Sequence, residues 1–251
     1  MSRSYIRSCL YQWEQVITQR GGPLFQSNPA IKLAYQHLLP MKKETTTRQK
    51  TAVTLEMIIF LNKYLEHLLD VVSIKGILAL RDLIYCNISF FGLLRRSDAH
   101  SLSLSNIQTE HSSEFLLAHI DRSKTDQEGN GYTLPIFLTT PHLQWKHHWL
   151  MYLAILRTNH AEVLFPSYNT KAKTIQWNKQ LTKAGLGKIL STRLKTAAVH
   201  NDIGDISNIS SHSLRRGGAT YLANQNAPDW LIKRIGRWKS EAFRLYTDYT
   251  W

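Results

Sequence analysis

The spacing of apolar residues changes near the middle of the chain, and this change constrains the fold most strongly. Two segments, Glu114–Lys124 and Tyr132–Leu138, are typical of strands. The glycine-rich segment Asp126–Gly131 joins them and is typical of a hairpin turn. Helical spacing dominates on both sides of this hairpin. The pattern therefore predicts a mainly α fold with a small antiparallel β-sheet, of the α+β class.

The helical patterns divide the chain into parts. Thr54 is the residue type of an N-cap, and a long helix is predicted to follow it. Short helical patterns at residues 4–19 and 28–39 come earlier, and the polar run Met41–Lys50 that follows them reads as a linker. Further helices are predicted at residues 74–91, 143–158, 178–199, 213–225 and 228–235. We expect a helical segment at 1–45, a linker at 46–52 and a main domain at 53–251.

Charge is the informative part of the composition. The chain has 31 Lys and Arg against 18 Asp and Glu, a net charge of +13, which favours a polyanionic partner and above all nucleic acid. Two cysteines exclude a disulfide scaffold and a Cys-rich zinc module. Lys63, Glu66 and Asp70 interrupt the most apolar stretch, so no membrane span is predicted and we expect an intracellular protein.

Several basic segments carry candidate functional residues, and each has an ordinary structural alternative. Arg95 and Arg96 could be a cation pair that complements a helix dipole. Lys124 could serve only to keep a strand edge soluble. His212 and Arg215 are three residues apart, hence on one face of a helix, where an imidazole and a guanidinium suit a phosphate. On these residues alone, the structural and functional interpretations of His212 and Arg215 are equally balanced.

The order of these motifs is more specific than any one of them. Arg-x-Ser-Asp, a hairpin Lys, His-x-Leu-Arg, Gly-x-Trp and a Tyr follow one another. Over about residues 50–251 this order resembles the tyrosine recombinases, the phage integrase family. Two segments are similar to motifs of mobile-element recombinases, namely His-Ser-Leu-Arg-Arg-Gly-Gly-Ala-Thr and Gly-Arg-Trp-Lys-Ser. Ser123–Gly129 is similar to a hairpin sequence of the family. The resemblance implies the catalytic-domain fold of that family, with a partial core-binding domain at 1–45.

The resemblance also implies a set of catalytic residues. They are Arg95, Lys124, His212, Arg215, Trp238 and Tyr246. Tyr246 lies nine residues after Arg237 and eight after Trp238, whereas the family usually has nine residues between its late His or Trp and the Tyr. Tyr249 is the alternative nucleophile.

These residue types suit transesterification of a DNA phosphodiester. Arg95 and Arg215 can hold the charge on the non-bridging oxygens, and His212 can take the proton of the Tyr246 phenol. Lys124 can return a proton to the departing 5′-oxygen. The covalent 3′-phosphotyrosine link conserves the bond energy, so the resemblance implies neither ATP nor a metal. The adjacent His147 and His148 are expected to diverge on a helix and to face the surface or a phosphate, not a metal.

The expected partner is double-stranded DNA, and the resemblance implies a homo-tetramer on it, although the chain ends five residues after Tyr246. A solvated basic face would look the same as a DNA-binding face. Candidate DNA contacts are Arg96, Lys171, Lys173, Lys179, Lys183, Lys188 and Arg216. The function expected is site-specific recombination or integration, in the nucleus of a eukaryote or the cytoplasm or nucleoid of a prokaryote. Two alternatives stay open, a non-catalytic DNA-binding remnant and a type IB topoisomerase-like nicking-closing enzyme, and an RNA-binding protein is a weaker third.

Overall fold

A computed structural model describes residues 51–70, 72–109, 113–121, 131–198, 206 and 208–247. All of them lie within one unit, Lys50–Trp251. The helical segment expected at residues 1–45 lies outside the described residues, as does the linker except for its last two residues. The division of the chain into a core-binding segment and a catalytic domain therefore stays a prediction.

Seven α-helices occur in the described part of the chain. They are α1 (Leu55–Glu66), α2 (Ile74–Phe91), α3 (Arg96–Ser101), α4 (Lys146–Thr158), α5 (Lys183–Ala198), α6 (Ser211–Asn224) and α7 (Asp229–Gly236). Short 3₁₀ turns cover Leu104–Asn106 and Glu241–Leu245. The strands are β1 (Ile107–Gln108), β2 (Phe115–Ile120), β3 (Tyr132–Phe137), β4 (Pro166–Asn169) and β5 (Thr174–Gln180). None of the helices described here combines the length and the apolar character that a bilayer crossing needs.

The first two helices begin where side chains cap them. The Thr54 hydroxyl accepts the backbone N–H of Met57 at 3.2 Å, and the Ser73 hydroxyl accepts that of Gly76 at 3.0 Å. The predicted N-cap at Thr54 and the predicted helix at 74–91 are confirmed. Every residue of α2 from Ala79 to Phe90 is buried, since α1, α4 and α6 all pack against this helix. α2 is thus the central helix of the domain core, and these three helices pack around it.

The predicted hairpin is confirmed in its pairing. β2 and β3 are antiparallel, with Phe115 opposite Phe137 and Ile120 opposite Tyr132, and β1 adds a short third strand. One face of the sheet packs into the core, as the burial of Leu116, Ala118, Ile120, Leu134 and Ile136 shows. Residues 122–130 lie outside the described residues, so the predicted turn and Lys124 are not placed.

A second antiparallel sheet was not expected from the sequence. β4 pairs with β5, where Tyr168 lies opposite Ile175. The helix expected over 178–199 therefore begins only at Lys183, and residues 178–180 end a strand. β5 is exposed or half-buried along its whole length, so it carries only a weak apolar alternation. The prediction of a single hairpin is therefore wrong, because β5 lacks the apolar alternation by which a strand is recognised in a sequence.

The helix that carries His212 and Arg215 begins at Ser211, two residues before the predicted start at 213. Ser210 is the N-cap and accepts the N–H of His212, while Ser213 accepts the N–H of Ser210. Further along α6, a Cβ at Gly217 would collide with the carbonyl oxygen of Val53, and one at Gly218 with that of Phe90. The small residue at Gly218 lets α6 approach the backbone of α2 closely, and the one at Gly217 lets it approach the segment that precedes α1.

The expectation that His147 and His148 diverge is wrong. Their ring centroids lie 3.6 Å apart in the first turn of α4. His148 is buried, with its Nε2 atom 3.6 Å from Oε1 of Glu66 at the end of α1. Burial, followed by the neighbouring charge of His147, lowers the pKa of His148 to about 4, so its ring is neutral near pH 7. The packing of α4 against the core turns the His148 ring inward. The positions of His147 and His148 along the helix do not predict this orientation.

Candidate active site

The turn between α2 and α3 positions the first arginine. Leu93 has a left-handed backbone with φ of 46°, and the chain reverses there before Arg95 becomes the N-cap residue of α3. The backbone N–H of Arg95 donates to the buried carboxylate of Asp98 at 3.1 Å. Arg96, one residue later, is exposed. The local turn therefore separates the two adjacent arginines, and Arg95 is the one that joins the site.

A buried arginine of α6 forms the centre of the site. Arg215 is 1% exposed and donates from Nη1 to the Leu93 carbonyl and from Nη2 to the Gly236 carbonyl, both at 2.5 Å. Its guanidinium carbon lies 3.9 Å from the centroid of the Trp238 ring. The two carbonyls and the stacked indole fix the plane of the guanidinium.

A further arginine, which the sequence reasoning did not assign to the site, lies at the C-cap of α7. Arg237 has a left-handed backbone with φ of 57°. Its Nη2 atom donates to Asp98 at 2.6 Å and to the Leu93 carbonyl at 3.3 Å. Sequence spacing could have identified it. Arg237 lies nine residues before Tyr246, which is the usual separation between the late His or Trp of the family and its Tyr.

The candidate nucleophile lies against the arginine centre. A 3₁₀ turn over Glu241–Leu245 brings Tyr246 back so that its ring centroid is 5.2 Å from that of Trp238 and 5.7 Å from the guanidinium carbon of Arg215. Thr220 of α6 donates its hydroxyl to the Tyr246 carbonyl at 3.2 Å, which ties the turn to the helix. The structure thus brings Arg215, Trp238 and Tyr246 together.

The site concentrates positive charge in a poorly solvated place. Burial, followed by the charges of Arg95 and Arg237, lowers the pKa of Arg215 to about 9. Burial also lowers the pKa of Arg237, while Asp98 opposes that shift. Arg215 still carries its charge at neutral pH. Three guanidinium groups therefore repel one another there, and an anion placed among them would relieve the repulsion.

Each of these arginines also has an unused donor. Among the described residues, no acceptor reaches Nη1 of Arg95, Nε of Arg215 or Nε of Arg237, although all three atoms are buried. Buried donors without acceptors are rare and unfavourable in proteins. The arrangement suits a ligand that brings several anionic oxygens, as a phosphate diester does.

The remaining predicted residues lie on or beside several different elements, and most of them are exposed. His212 is exposed in the first turn of α6, one turn before Arg215. Arg216 is half-buried on the same helix. Lys171 and Lys173 are exposed between β4 and β5, and Lys179, Lys183 and Lys188 are exposed on β5 and α5. Tyr249, like Lys124, lies outside the described residues.

Replacing Asp98 by Asn is expected to lower the free energy of unfolding by about 3–5 kcal/mol, because the buried Arg237 loses its counter-charge while the shape is kept. Urea unfolding measures the change. Asp229→Asn is the matched control, since its partner Arg244 lies 2.8 Å away with both side chains about half exposed. That exposed pair is expected to contribute less than about 1 kcal/mol. Equal effects of the two substitutions would contradict a stabilising role for the buried pair.

Comparison with known proteins agrees with the geometry. The architecture is similar to that of the XerH site-specific recombinase bound to palindromic difH substrate (TM-score 0.56, 16% identity, 81% of this chain and 51% of that one). It is also similar to a lambda integrase dimer bound to a COC′ core site (TM-score 0.57, 16% identity, 86% and 53%). A third similar structure is the Tn1549 transposon integrase in complex with transposon right end DNA (TM-score 0.61, 13% identity, 100% and 77%).

The chain spans about half the length of the XerH and lambda integrase chains. At these identities the likeness establishes the fold, which is that of tyrosine recombinase catalytic domains, as expected. A search of curated protein sequences finds no match. The family model described as the phage integrase family matches residues 59–250, most of the sequence, and this chain therefore belongs to the phage integrase family.

Proposed function

We propose that this protein breaks and rejoins DNA through a covalent 3′-phosphotyrosine intermediate, as an enzyme of site-specific recombination or integration. The observation that carries the proposal is the set of three arginines with unused buried donors, of which the central one, Arg215, lies beside Tyr246. A phosphodiester placed there would supply the missing acceptors and the missing negative charge. Preorganised charge of this kind favours the transition state of phosphoryl transfer.

In the proposed reaction, Tyr246 Oη attacks the scissile phosphorus. The new O–P bond joins the protein to the 3′ end of the DNA, and the bond from phosphorus to the 5′-oxygen breaks. The phenolic proton passes to a base, and the 5′-oxygen takes up a proton and leaves as an alcohol. Attack by a 5′-hydroxyl reverses each step, so the cycle consumes no nucleotide and balances without a cofactor.

The residues divide these tasks by chemistry. Arg215 and Arg95 hold the two non-bridging oxygens, and Arg237 adds a third positive charge behind them. His212 is proposed as the base because an imidazole changes charge near neutral pH. Lys124, which lies between β2 and β3 in the sequence, is proposed as the acid for the leaving 5′-oxygen. Trp238 acts by holding the guanidinium of Arg215 and the ring of Tyr246 in place.

The proposed substrate is double-stranded DNA, which the net charge of +13 would attract. Exposed lysines supply backbone contacts without reading bases. Arg96, Arg216, Lys171, Lys173 and Lys179 are the proposed contact residues. XerH, lambda integrase and the Tn1549 integrase were each solved in complex with DNA. We propose that the protein lies with the DNA inside the cell, in the nucleus of a eukaryote or the cytoplasm or nucleoid of a prokaryote.

Two features of organisation belong to the proposal. Residues 1–45 would act as part of a DNA-clamping segment joined by a linker at 46–52 to the catalytic domain at 53–251. Recombination joins four DNA ends, so the working unit would be a homo-tetramer on DNA. Analytical ultracentrifugation of the purified protein with duplex DNA tests the assembly.

A trapping assay tests the chemistry. Nicked duplexes that release a short 5′-hydroxyl fragment on cleavage, built from a random-sequence pool and from half-sites of family members, are incubated with the protein. Release of the fragment prevents the reverse attack, so protein should accumulate on the DNA 3′ end as an adduct that resists denaturant. Binding, measured separately by fluorescence anisotropy, should weaken steeply with salt, with each phosphate contact adding about 0.9 to the log–log slope.

The outcomes separate the function classes. Adduct formation without strand exchange between two duplexes would indicate a nicking-closing enzyme. Salt-sensitive DNA binding with no adduct on any pool member would indicate a non-catalytic DNA-binding protein. A binding constant that does not respond to salt would remove nucleic acid as the partner.

A further inference from the structure

A second cluster of chemically active side chains lies on different elements from the active site. Glu66 ends α1, and His147 and His148 belong to the first turn of α4. Each offers one donor atom, and these three donor atoms all lie within 4.8 Å of one another. The arginines of the active site, by contrast, belong to α6 and to the ends of α3 and α7. The cluster is therefore built from other elements than the arginine centre.

The buried member of the cluster is poorly satisfied by the protein alone. His148 is 2% exposed, and its Nε2 atom lies 3.6 Å from Oε1 of Glu66, too far for a normal hydrogen bond. Within the described residues, its Nδ1 atom is buried and has no hydrogen-bond partner. A neutral imidazole in an apolar setting ordinarily uses both ring nitrogens. Nδ1 is thus the unsatisfied nitrogen of this ring, and Nε2 is the one that faces Glu66.

The separations fit an ion placed between the donors. Two atoms bound to one Zn²⁺ at about 2.0–2.2 Å in a tetrahedral site are about 3.3 Å apart. The observed 3.6 Å between His148 and Glu66 is close to that value. Glu66 and His147 are exposed side chains, so they can close the remaining gap by small rotations. Two imidazoles and one carboxylate leave a fourth position for water, a donor set that Zn²⁺ commonly uses.

We propose that Glu66, His147 and His148 bind a divalent transition-metal ion of the Zn²⁺ type, which joins the end of α1 to the start of α4. Both helices pack on the central helix α2, so the ion would fasten the outer layer of the domain. It would act on stability and leave the chemistry at Tyr246 to the arginines. An ion that binds only the folded state stabilises it by RT ln(1 + [ion]/Kd), so the unfolding temperature rises once the free ion concentration exceeds Kd.

Calorimetric titration with ZnCl₂ tests the proposal on the full untagged chain after treatment with a chelator. The expected result is one tightly bound Zn²⁺ per chain, with an upward shift of the unfolding temperature. Cobalt(II) in its place should give the intense visible absorption of a tetrahedral site. Glu66→Gln and His147→Ala should each weaken binding by at least about tenfold, since even the loss of outer partners of a ligand has that effect.

His160→Asn is the matched control. His160 is exposed after α4 and has a left-handed backbone with φ of 49°, which Asn tolerates. This variant should bind Zn²⁺ as the unaltered protein does, and circular dichroism of all three variants checks that they fold. Absence of stoichiometric binding would overturn the proposal. Equal binding by the control and by the Glu66 and His147 variants would overturn it as well, because the ion would then lie elsewhere.

Discussion

Tyr246→Phe is expected to abolish the covalent protein–DNA adduct while leaving DNA affinity nearly unchanged. The substitution removes the hydroxyl oxygen that forms the bond to phosphorus and keeps the ring that packs against Trp238, 5.2 Å away between centroids. Loss of a covalent nucleophile lowers turnover by roughly 10⁶-fold in well-studied enzymes, which is below detection in a trapping assay. Adduct yield on the nicked duplex and anisotropy binding curves measure the two effects.

Tyr249→Phe is the control for this prediction, because the two tyrosines lie three residues apart in the sequence. The Tyr249→Phe protein should form the covalent DNA adduct as efficiently as the unaltered protein. Peptide mapping of the adduct then identifies the modified residue directly. An adduct on Tyr249 would move the nucleophile and keep the mechanism, whereas trapping by both variants would show that neither phenol alone is required.

Arg215→Lys is expected to lower the rate of adduct formation at saturating DNA by roughly 10²–10³-fold, the usual effect of removing a preorganised charge-stabilising donor. Lysine keeps the charge and loses the planar fork. It cannot hold the carbonyls of Leu93 and Gly236 and still present a donor to phosphate. Single-turnover measurements with excess protein separate this chemical effect from any change in affinity.

Arg216→Lys is the neighbouring control, since Arg216 is half-buried on the same helix and is proposed to contact the DNA backbone. It should change affinity slightly and leave the rate of the bound complex intact. Urea unfolding shows whether the Arg215 variant still folds. In Arg215→Ala, partial recovery of trapping by added methylguanidinium would separate a chemical role from a structural one. A folded Arg215→Lys variant that traps at the normal rate would exclude Arg215 from transition-state stabilisation.

Much of the fold could be predicted because the signals are local. Thr54 caps α1 through a bond to a residue three positions away, and α2 follows Ser73 as the apolar period indicates. The β2–β3 pairing follows from two strand patterns and a glycine-rich turn. β5 was missed because its side chains are exposed or half-buried, so tertiary contacts with β4 and the loops define it more than its own pattern does.

By itself the sequence determined the family and the candidate residues, since an ordered set of short motifs survives as a pattern along the chain. Only the tertiary structure decided how those residues meet. The Leu93 carbonyl accepts hydrogen bonds from Arg215, which is 122 residues away in the sequence, and from Arg237, which is 144 residues away. Asp98 and Arg237 form an ion pair although 139 residues separate them in the sequence. The inward turn of His148 likewise depends on the packing of α4 against α2. Periodicity reports which face of one helix is apolar, whereas these contacts depend on how separate helices pack, and no local pattern encodes that packing.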